Sequence, residues 1–450
     1  MTPAPNLALQ GLVPGTVSSS VTLVGDRQVV MARCVAGHRA GALSEAAGRS
    51  LATAARHAVA SRLPLVVIIA SSGADVEEGL PALHGWGVAA HAVAACSGRV
   101  PVLMAVTGPA VSGPALMLGL ADVVCVTDES TAYVSGPAMV EEMTGVRLRP
   151  EALGGPGVHR RHSGVAGLAA ADEEAALSAL GEVLAHLPDS CDDLPPTLGT
   201  DDPVDRDIPE MADLLPATPT GAYDVRQVVT KVVDEGAFTE LWEGWAPNIV
   251  VGLATVGGEP IGVVANQPSA LAGTLDIPSS QKGARFVNFC DAFGLPLLTL
   301  VDTPGFFPGK DVEWRGMIRK GAQLAFAYAR ATVPRVCVIL RKAYGGAYIV
   351  MDCKTMGGDL TYAWPTAEIA VMGAKGAVEI LHRRSTPEER AAAEADYAGE
   401  LLTPWIAAER GLVDDVIDPR HTRAVVARSF DLLRTKHEDS VARKHDNSPC

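Results

Sequence analysis

The chain alternates short runs of almost entirely apolar residues with longer amphipathic stretches. The apolar runs lie at 65–70, 102–106, 261–265, 297–301 and 336–340, and amphipathic stretches lie between them, for example at 43–60, 80–95, 281–293 and 317–331. A short run that is apolar throughout is typical of a strand buried on both faces, which favours parallel pairing, whereas the amphipathic stretches favour helices. The pattern therefore predicts an α/β fold in which strands and helices alternate.

The order of these elements occurs twice along the chain. In the first half, a Val-Pro pair ending at Pro101 is followed by an apolar strand and a glycine turn at Gly113. In the second half, Pro334 and Gly346 occupy the corresponding positions, and the proline precedes the glycine by 12 residues in both halves. Because chance rarely keeps both order and spacing, we predict two tandem α/β domains related by internal duplication.

Length and composition indicate where the domains meet. The chain has 450 residues, of which 48% are hydrophobic, and this is enough for two domains of about 200 residues with a core each. Aspartate and proline are concentrated between 191 and 220, so we predict a linker at 191–220. The N-terminal domain is accordingly predicted at 1–190 and the C-terminal domain at 221–450.

Charge and motif content exclude several classes of protein. A net charge of −15 opposes an extended contact with a nucleic-acid backbone. No run reaches about 20 apolar residues and residues 1–10 lack a basic start, so we expect no membrane segment and a cytoplasmic protein. The chain has no C-x-x-C pair, no metal-ligand spacing of histidines, no phosphate-binding loop and no G-x-S-x-G elbow. We therefore expect no metal in this chain and a base that belongs to a cofactor.

The glycine turns that end the two repeats are the remaining candidates for chemistry. A strand that ends in a small-residue turn and continues into a helix directs free backbone N–H groups to one spot, where they stabilise a developing negative charge. In the second half the candidate donors are the N–H groups of Gly346 and Ala347, and Gly345 gives the turn its conformational freedom. In the first half the candidates are the N–H groups of Ser112 and Gly113. The alternative is that these glycines only let a helix pack closely on a strand.

Several motifs of the second half resemble a known family. They are R-K-A-Y-G-G-A-Y at 341–348, D-L-T-Y-A-W-P-T-A-E-I-A-V-M-G-A-K-G-A at 359–377, A-N-Q-P at 265–268, D-T-P-G-F at 302–306, and the stretch 244–248. By these motifs the chain resembles, from about 17 to about 416, the carboxyltransferase (beta) subunit of biotin-dependent acyl-CoA carboxylases of the acetyl- and propionyl-CoA type. The resemblance implies two tandem crotonase-like domains of the ClpP/crotonase superfamily.

The resemblance also implies an activity and partners. In the family, carboxybiotin on a separate carrier protein loses CO2, its biotin enolate removes the α-proton of an acyl-CoA, and the acyl enolate captures the CO2. The implied partners are an acyl-CoA or related acyl thioester, a biotin carboxylase and a biotin carboxyl carrier protein. The implied assembly is a ring-shaped homo-hexamer with active sites between the N-domain of one subunit and the C-domain of another. No Met-Lys-Met biotinylation motif occurs here, so the biotin is expected on the carrier.

The resemblance carries the family's functional positions onto this chain. The catalytic positions are two pairs of backbone donors, the first facing the acyl thioester and the second facing biotin: Ser112 with Gly113, and Gly346 with Ala347. The substrate-binding positions lie beside these pairs: Gly73, Ala74, Tyr344, Gly345 and Ile349. Position 349 is where propionyl-preferring relatives carry aspartate. The isoleucine therefore implies an acetyl or longer acyl group rather than a strictly propionyl one.

The first half departs from the family pattern, which leaves other functions open. Asp75 occupies the position of a family arginine near the expected CoA side, where an acid would repel phosphates, and the helical segment that precedes the family's first domain is not found. Three alternatives therefore stand beside an acyl-CoA carboxyltransferase. They are a specialised carboxyltransferase with a non-CoA acceptor, a biotin-dependent decarboxylase, and a non-catalytic structural subunit of a mixed carboxylase ring. The sequence identifies neither the acyl group, nor the particular partners, nor the oligomer size.

Overall fold

The structure is a computed structural model that describes residues 7–8, 17–34, 38–218, 220–438 and 447–449. The chain divides into two compact units, Met1–Pro196 with Trp242–Trp245 and Thr197–Leu241 with Ala246–Cys450. Most of residues 1–10, on which the expectation of a cytoplasmic protein depends, and position 219 of the predicted linker lie outside the described residues. The domain boundaries at 190 and 220 stay a prediction.

The strands of the first unit are β1 (Leu7–Ala8), β2 (Val17–Val24), β3 (Arg27–Cys34), β4 (Leu65–Ser71), β5 (Val102–Val111), β6 (Val123–Thr127), β7 (Thr131–Tyr133) and β8 (Leu168–Ala170). They form one sheet in the order β1-β2-β3-β4-β5-β6-β8, with β7 paired to the end of β5. The pairs β1–β2 and β2–β3 are antiparallel, and the other pairs are parallel. The apolar runs at 65–70 and 102–106 form β4 and the first half of β5, as predicted.

The helices of the first unit are α1 (Glu45–Ser61), α2 (Leu80–Ala94), α3 (Gly113–Met117), α4 (Pro137–Thr144), α5 (Pro150–Gly154), α6 (Pro156–Val158) and α7 (Glu173–Ala185). Helix α1 begins after Ser44, whose side chain accepts a hydrogen bond from the Ala47 N–H at 3.1 Å. Helices α1 and α2 approach closely at Gly48. A Cβ added there would lie only 2.2 Å from the carbonyl oxygen of Gly85, so no larger residue fits at this position. The small residues of α1 thus allow α2 to pack against it.

The strands of the second unit are β9 (Phe238–Leu241), β10 (Ile249–Val256), β11 (Glu259–Asn266), β12 (Leu297–Thr303), β13 (Arg335–Tyr344), β14 (Leu360–Ala363), β15 (Glu368–Ala370) and β16 (Asp415–Val416). Their order is β16-β14-β13-β12-β11-β10-β9, with β15 paired to the end of β13. The pairs β9–β10 and β10–β11 are antiparallel and the other pairs are parallel. The run at 261–265 was expected to pair in parallel. It does so with β12, but its other neighbour, β10, is antiparallel.

The helices of the second unit are α8 (Arg226–Val232), α9 (Ile277–Ala292), α10 (Lys310–Trp314), α11 (Met317–Arg330), α12 (Gly345–Val350), α13 (Ala374–Leu381), α14 (Pro387–Leu401), α15 (Pro404–Glu409) and α16 (Thr422–Leu433). Helix α9 begins with a capping box in which Asp276 and Ser279 each accept a hydrogen bond from the other's backbone N–H. Asp276 holds the place in this half that Ser44 holds in the first. Both helices that begin there are therefore capped by a side-chain oxygen.

Part of the aspartate- and proline-rich stretch packs on the second unit. Ile208 and Met211 are buried in the core of that unit, and the Ile208 N–H donates to the carbonyl oxygen of Arg420 at 3.0 Å. The same unit buries Arg423 completely, and its guanidinium donates to Asp234 at 2.6 Å. Composition alone suggested little to bury in this stretch, because its few apolar residues are separated by polar ones.

The two units repeat the same local geometry. In the first unit Leu43 forms an isolated parallel bridge with Ala74, and in the second unit Leu275 forms one with Phe306. Three successive left-handed residues precede each bridge, at 39–41 and at 271–273. Two-residue hairpins join β2 to β3 and β10 to β11 in the same register. This agreement of register and backbone conformation confirms the predicted internal duplication.

Candidate active site

The second-unit turn joins β13 to α12, and we term residues 344–347 the C-turn. Gly345 has a φ of 58°, and a Cβ added there would lie 2.9 Å from the carbonyl oxygen of Val371, so this position requires glycine. Gly346 and Ala347 stand in the first turn of α12, where backbone N–H groups have no acceptor within the helix. Gly346 is also exposed. The Gly346 amide is thus located where a ligand oxygen could accept from it, and the Ala347 amide follows it in the same helical turn although Ala347 itself is fully buried.

A buried network of side chains supports the strand ends that lead into the C-turn. Asp302, on β12, accepts hydrogen bonds from the Arg341 Nε and the Tyr223 hydroxyl, both at 3.0 Å, and from the Lys342 N–H at 3.1 Å. Burial raises the pKa of Asp302, although Arg341 acts in the opposite direction. Because a buried ion pair loses the solvation of both charges, it depends on such additional hydrogen bonds. The network therefore fixes the end of β13.

The other predicted residues of the second half flank the C-turn. The Tyr344 hydroxyl donates to Glu368 of β15, and burial raises the pKa of Tyr344. This hydrogen bond ties the last residue of β13 to the neighbouring strand. Ile349, on α12, is 40% exposed. The structure therefore brings the predicted second-half residues together in one continuous segment that ends in an exposed apolar side chain.

The first-unit turn joins β5 to α3, and we term residues 111–114 the N-turn. Ser112 adopts φ 58° and ψ −117°, a conformation that favours glycine. Its backbone N–H, predicted to be a free donor, donates instead to the carbonyl oxygen of Tyr133 at 3.0 Å. The prediction for this amide is corrected because β5 pairs with β7 up to the turn and uses it in that pairing.

The strand register shows which residues of the two turns correspond. After a register shift, the β4–β5 ladder resumes at Ala110 and the β12–β13 ladder resumes at Ala343. Ser112 therefore corresponds to Gly345, two residues further on. Both have a φ of 58°, which supports the same correspondence independently.

The same register makes Gly113 correspond to Gly346 and Pro114 to Ala347. Proline has no backbone N–H, so the N-turn lacks the donor that Ala347 gives to the C-turn. Among positions 112–114, Gly113 is left as the backbone donor for a ligand. The sequence could have revealed this difference, because Pro114 and Ala347 stand at equal distances from the two Val-Pro pairs. The prediction from sequence matches the donor pair Ser112 and Gly113 with the pair Gly346 and Ala347. That match is one residue out of register, so it hides the missing N–H at Pro114.

Two further predicted residues, Gly73 and Ala74, follow β4 and lie beside the N-turn. A Cβ added to Gly73 would lie 3.3 Å from the carbonyl oxygen of Val111 and 3.9 Å from the Cβ of Ser112. Ala74 is held in place by its bridge to Leu43. The structure thus brings the predicted first-half residues together at the ends of β4 and β5.

Asp75, the acid that replaces a family arginine, is paired with an arginine from another part of the chain. The Arg39 guanidinium donates to Asp75 at 2.7 Å and also to Glu77. The hydrogen bond from Arg39 holds the pKa of Asp75 below its usual range. The Asp75 side chain is 7% exposed, whereas that of Arg39 is 39% exposed. The surface beside Gly73 therefore presents two carboxylates, Asp75 and Glu77, that share one arginine, and Asp75 is not a free carboxylate.

Among the described residues, no group of three or more histidine, cysteine, aspartate or glutamate side chains is placed to hold a metal ion. Within the same part of the chain, no helix combines the length and the apolar character needed to cross a membrane.

Comparisons with known proteins agree on one family. A family model described as "Carboxyl transferase domain" matches residues 15–448. The propionyl-CoA carboxylase beta chain of Roseobacter denitrificans is 44% identical over 412 residues, covering 91% of this chain and 81% of the relative. The alpha subunit of the methylmalonyl-CoA decarboxylase of Propionigenium modestum is 39% identical over 416 residues, covering 91% and 80%. A transcarboxylase 12S structure, described as a hexamer assembly with methylmalonyl-coenzyme A bound, matches with a TM-score of 0.94 at 37% identity, covering 98% of this chain and 86% of that one.

These comparisons confirm the predicted crotonase-like fold of the two α/β domains, and they confirm that the chain is an enzyme subunit. The chain belongs to the carboxyl transferase domain family, among the carboxyltransferase (beta) subunits of biotin-dependent acyl-CoA carboxylases.

Proposed function

We propose that this chain transfers carboxylate from carboxybiotin, carried on a separate carrier protein, to the α carbon of an acyl-CoA. Membership of the carboxyltransferase family supports the reaction class. The observation that carries the proposal is the C-turn, where the adjacent amides of Gly346 and Ala347 follow a strand end fixed by a buried network. Such an arrangement stabilises negative charge without a metal ion or a side-chain nucleophile.

The C-turn suits the ureido carbonyl of biotin. When it is bound, carboxybiotin supplies the CO2 and, once the CO2 has left, the base for the acyl group. The carbonyl oxygen gains negative charge in that step, and the N–H groups of Gly346 and Ala347 can both donate to it. Gly346 has no side chain, so a ring system can approach the backbone there. The loss of one such donor typically lowers turnover by about 10²–10³-fold.

We propose acyl-CoA as the acceptor, bound beside Gly73, Ala74 and the N-turn. The relative from Roseobacter denitrificans is named for propionyl-CoA and the transcarboxylase structure contains methylmalonyl-coenzyme A. Asp75, the acid expected to repel the phosphates of CoA, forms an ion pair with Arg39. Because opposite charges at this distance largely offset each other, the pair repels phosphates less than a free carboxylate would.

The acyl group is proposed to be acetyl or longer rather than strictly propionyl. Ile349 offers an exposed apolar side chain next to the C-turn, where propionyl-preferring members of the family carry aspartate. An apolar contact adds about 0.8 kcal/mol for each methylene that it buries. An isoleucine therefore gains affinity as the acyl chain grows, whereas an aspartate does not.

The partners follow from the proposed reaction. The chain requires a biotin carboxylase and a biotin carboxyl carrier protein, and we propose that it assembles as a homo-hexamer. The matched transcarboxylase 12S structure is described as a hexamer assembly. Light scattering of the purified chain tests the assembly, and a monomer at working concentration would contradict it.

The reverse reaction tests the function with this chain alone. Purified protein is mixed with biocytin and with malonyl-, methylmalonyl- or ethylmalonyl-CoA, and the loss of carboxylate from each thioester is followed by mass spectrometry. We expect biocytin-dependent formation of the corresponding acyl-CoA. A protein that decarboxylates none of these thioesters in the presence of biocytin would contradict the proposal, and a protein active on its own would exclude a purely structural role.

A biotin-dependent decarboxylase is a second candidate, favoured by the relative from Propionigenium modestum, which is named as a methylmalonyl-CoA decarboxylase subunit. The same turns serve both directions, because the carboxylate only moves between the same two atoms. Because the transfer is reversible, the ratio of forward to reverse kcat separates the two candidates. A higher kcat for carboxylation of acetyl-CoA from a carboxylated carrier protein supports the carboxylase, whereas a higher kcat in the reverse direction supports the decarboxylase.

A further inference from the structure

The N-turn has lost a hydrogen-bond donor that the C-turn retains. Pro114 stands where Ala347 donates an N–H in the other half, and the Ser112 N–H is already bound to the carbonyl oxygen of Tyr133 at 3.0 Å. Gly113 alone does not match the two-donor arrangement of the C-turn. An enolising thioester develops negative charge on its oxygen, and a second donor from elsewhere in the turn would add to its stabilisation.

Ser112 is the residue of the N-turn that carries such a donor in its side chain. It is exposed, and within the described residues its hydroxyl has no hydrogen-bond partner. Its Cβ lies 3.9 Å from the position that a Cβ on Gly73 would occupy, so the side chain stands between the ends of β4 and β5. The hydroxyl therefore belongs to an exposed side chain beside Gly73, and it precedes the Gly113 amide by one residue.

The backbone at position 112 would accommodate glycine more easily than serine. Its φ of 58° and ψ of −117° fall in a region that side chains rarely adopt, and the corresponding residue of the C-turn is Gly345. The chain thus places a strained serine in the half that contains Pro114, and an unstrained glycine in the half that retains the second N–H. The strain and the missing N–H occur in the same turn.

We propose that the Ser112 hydroxyl is the second oxyanion donor of the N-turn and replaces the backbone N–H that Pro114 cannot supply. The hydroxyl donates to the thioester carbonyl oxygen and strengthens this bond as the oxygen becomes an enolate oxygen; its proton stays on Oγ and no covalent bond forms. No base within the described residues accepts from Oγ, so the geometry favours a donor and not a nucleophile. The inference rests on the proposed function, because the acceptor is the thioester of that reaction.

The carbon-13 chemical shift of the thioester carbonyl measures this hydrogen bond in a bound thioester that does not react. Acetyl-CoA labelled with carbon-13 at the carbonyl is bound to the wild type and to Ser112→Ala, Ser112→Gly and Ser112→Ala/Pro114→Ala, and the carbonyl resonance is recorded by NMR. We expect a downfield shift on binding to the wild type, loss of at least half of that shift in both single variants, and recovery in the double variant. The double variant regains an N–H where Pro114 had none.

Kinetics and stability separate this role from a structural one. In biocytin-dependent decarboxylation of malonyl-CoA, Ser112→Ala and Ser112→Gly should lower kcat by about 10²–10³-fold with little change in KM. Ser112→Gly should nevertheless melt at a higher temperature than Ser112→Ala, because glycine relieves the strained backbone. Both variants would then lose activity to the same extent although they differ in stability.

The outcomes test the proposed acyl-CoA acceptor and the proposed role of the Ser112 hydroxyl separately. A wild type that leaves the carbonyl resonance at its free position would overturn the proposed acceptor, and this inference with it. A shifted resonance that Ser112→Ala leaves in place would overturn this inference alone. Loss of the shift in Ser112→Ala but not in Ser112→Gly would also overturn it, because neither variant retains the hydroxyl.

Discussion

The C-turn and the N-turn follow the same backbone path, but they are supported differently. Beneath the C-turn, Asp302 and Arg341 form a buried ion pair at 3.0 Å. The register makes Ala70 and Gly108 the corresponding residues of the first half, and neither carries a charge. There the Ala70 Cβ lies 3.0 Å from the position of a Cβ on Gly108, so a methyl group fills the space that the ion pair occupies in the other half.

This difference matches the different tasks that we propose for the two turns. The half that we propose for biotin would meet the same ureido group in every turnover, and a turn fixed by buried charges and two backbone donors suits that task. The half that we propose for the acyl thioester differs in support and in donors. Its proposed second donor is a hydroxyl in place of an N–H, and among the described residues no buried ion pair lies beneath it.

The largest effect on folding is expected from breaking the buried pair of the C-turn. Arg341→Met leaves Asp302 buried without its cationic partner, which should lower the free energy of unfolding by about 3–5 kcal/mol in urea titrations. Arg39→Met is the matched change beside the N-turn and should cost less, because the Arg39 side chain is 39% exposed and solvent screens its pair. Equal losses in the two variants would show that the turns are supported alike.

A smaller effect separates the corresponding glycines of the two turns. A Cβ at Gly113 would lie 2.2 Å from Cδ1 of Trp86, whereas a Cβ at Gly346 would lie 3.5 Å from Phe306, which is ordinary contact. Gly113→Ala should therefore destabilise the protein by about 1–3 kcal/mol through overpacking. Gly346→Ala should leave thermal unfolding nearly unchanged. The reverse order in a melting experiment would contradict the packing described for Trp86.

The smallest effect concerns the apolar residues that follow the turns, Ile349 and its counterpart Leu116, which are 40% and 52% exposed. Ile349→Asp should reduce the preference for longer acyl chains, measured as kcat/KM for ethylmalonyl-CoA over malonyl-CoA, by about fourfold per methylene. Leu432→Asp, at an exposed apolar position on α16 that lies in neither turn, is the control. An unchanged ratio in Ile349→Asp, or the same loss in Leu432→Asp, would remove Ile349 from the account of acyl preference.

The fold could be predicted to the extent that burial is visible in the sequence. The runs at 65–70 and 297–301 became β4 and β12 because both faces of these strands are buried, which leaves an apolar pattern interrupted only at Thr299. β2 was missed because its sequence, V-S-S-S-V-T-L-V, belongs to an antiparallel strand that is only partly buried. Its hairpin depends on a turn at Gly25, which has a φ of 58°, and this signal is local and short.

The site was predictable where neighbours in sequence are neighbours in space. Gly345, Gly346 and Ala347 form one turn, so their spacing alone located them. The pairing of Arg39 with Asp75 joins two loops that only the folded sheet brings together, and no periodicity indicates it. The occupied N–H of Ser112 depends on pairing with β7, which is likewise a tertiary contact.

The most direct test places a proline in the C-turn at position 347, which corresponds to Pro114 of the N-turn. Ala347→Pro removes one N–H at a position where the corresponding turn contains Pro114, so the backbone path permits it, and a thermal melt checks that the fold is kept. The account predicts that biocytin-dependent decarboxylation of malonyl-CoA falls by about 10²–10³-fold. Turnover at the wild-type rate in a folded Ala347→Pro protein would contradict the claim that paired backbone donors at the C-turn stabilise the charge on biotin.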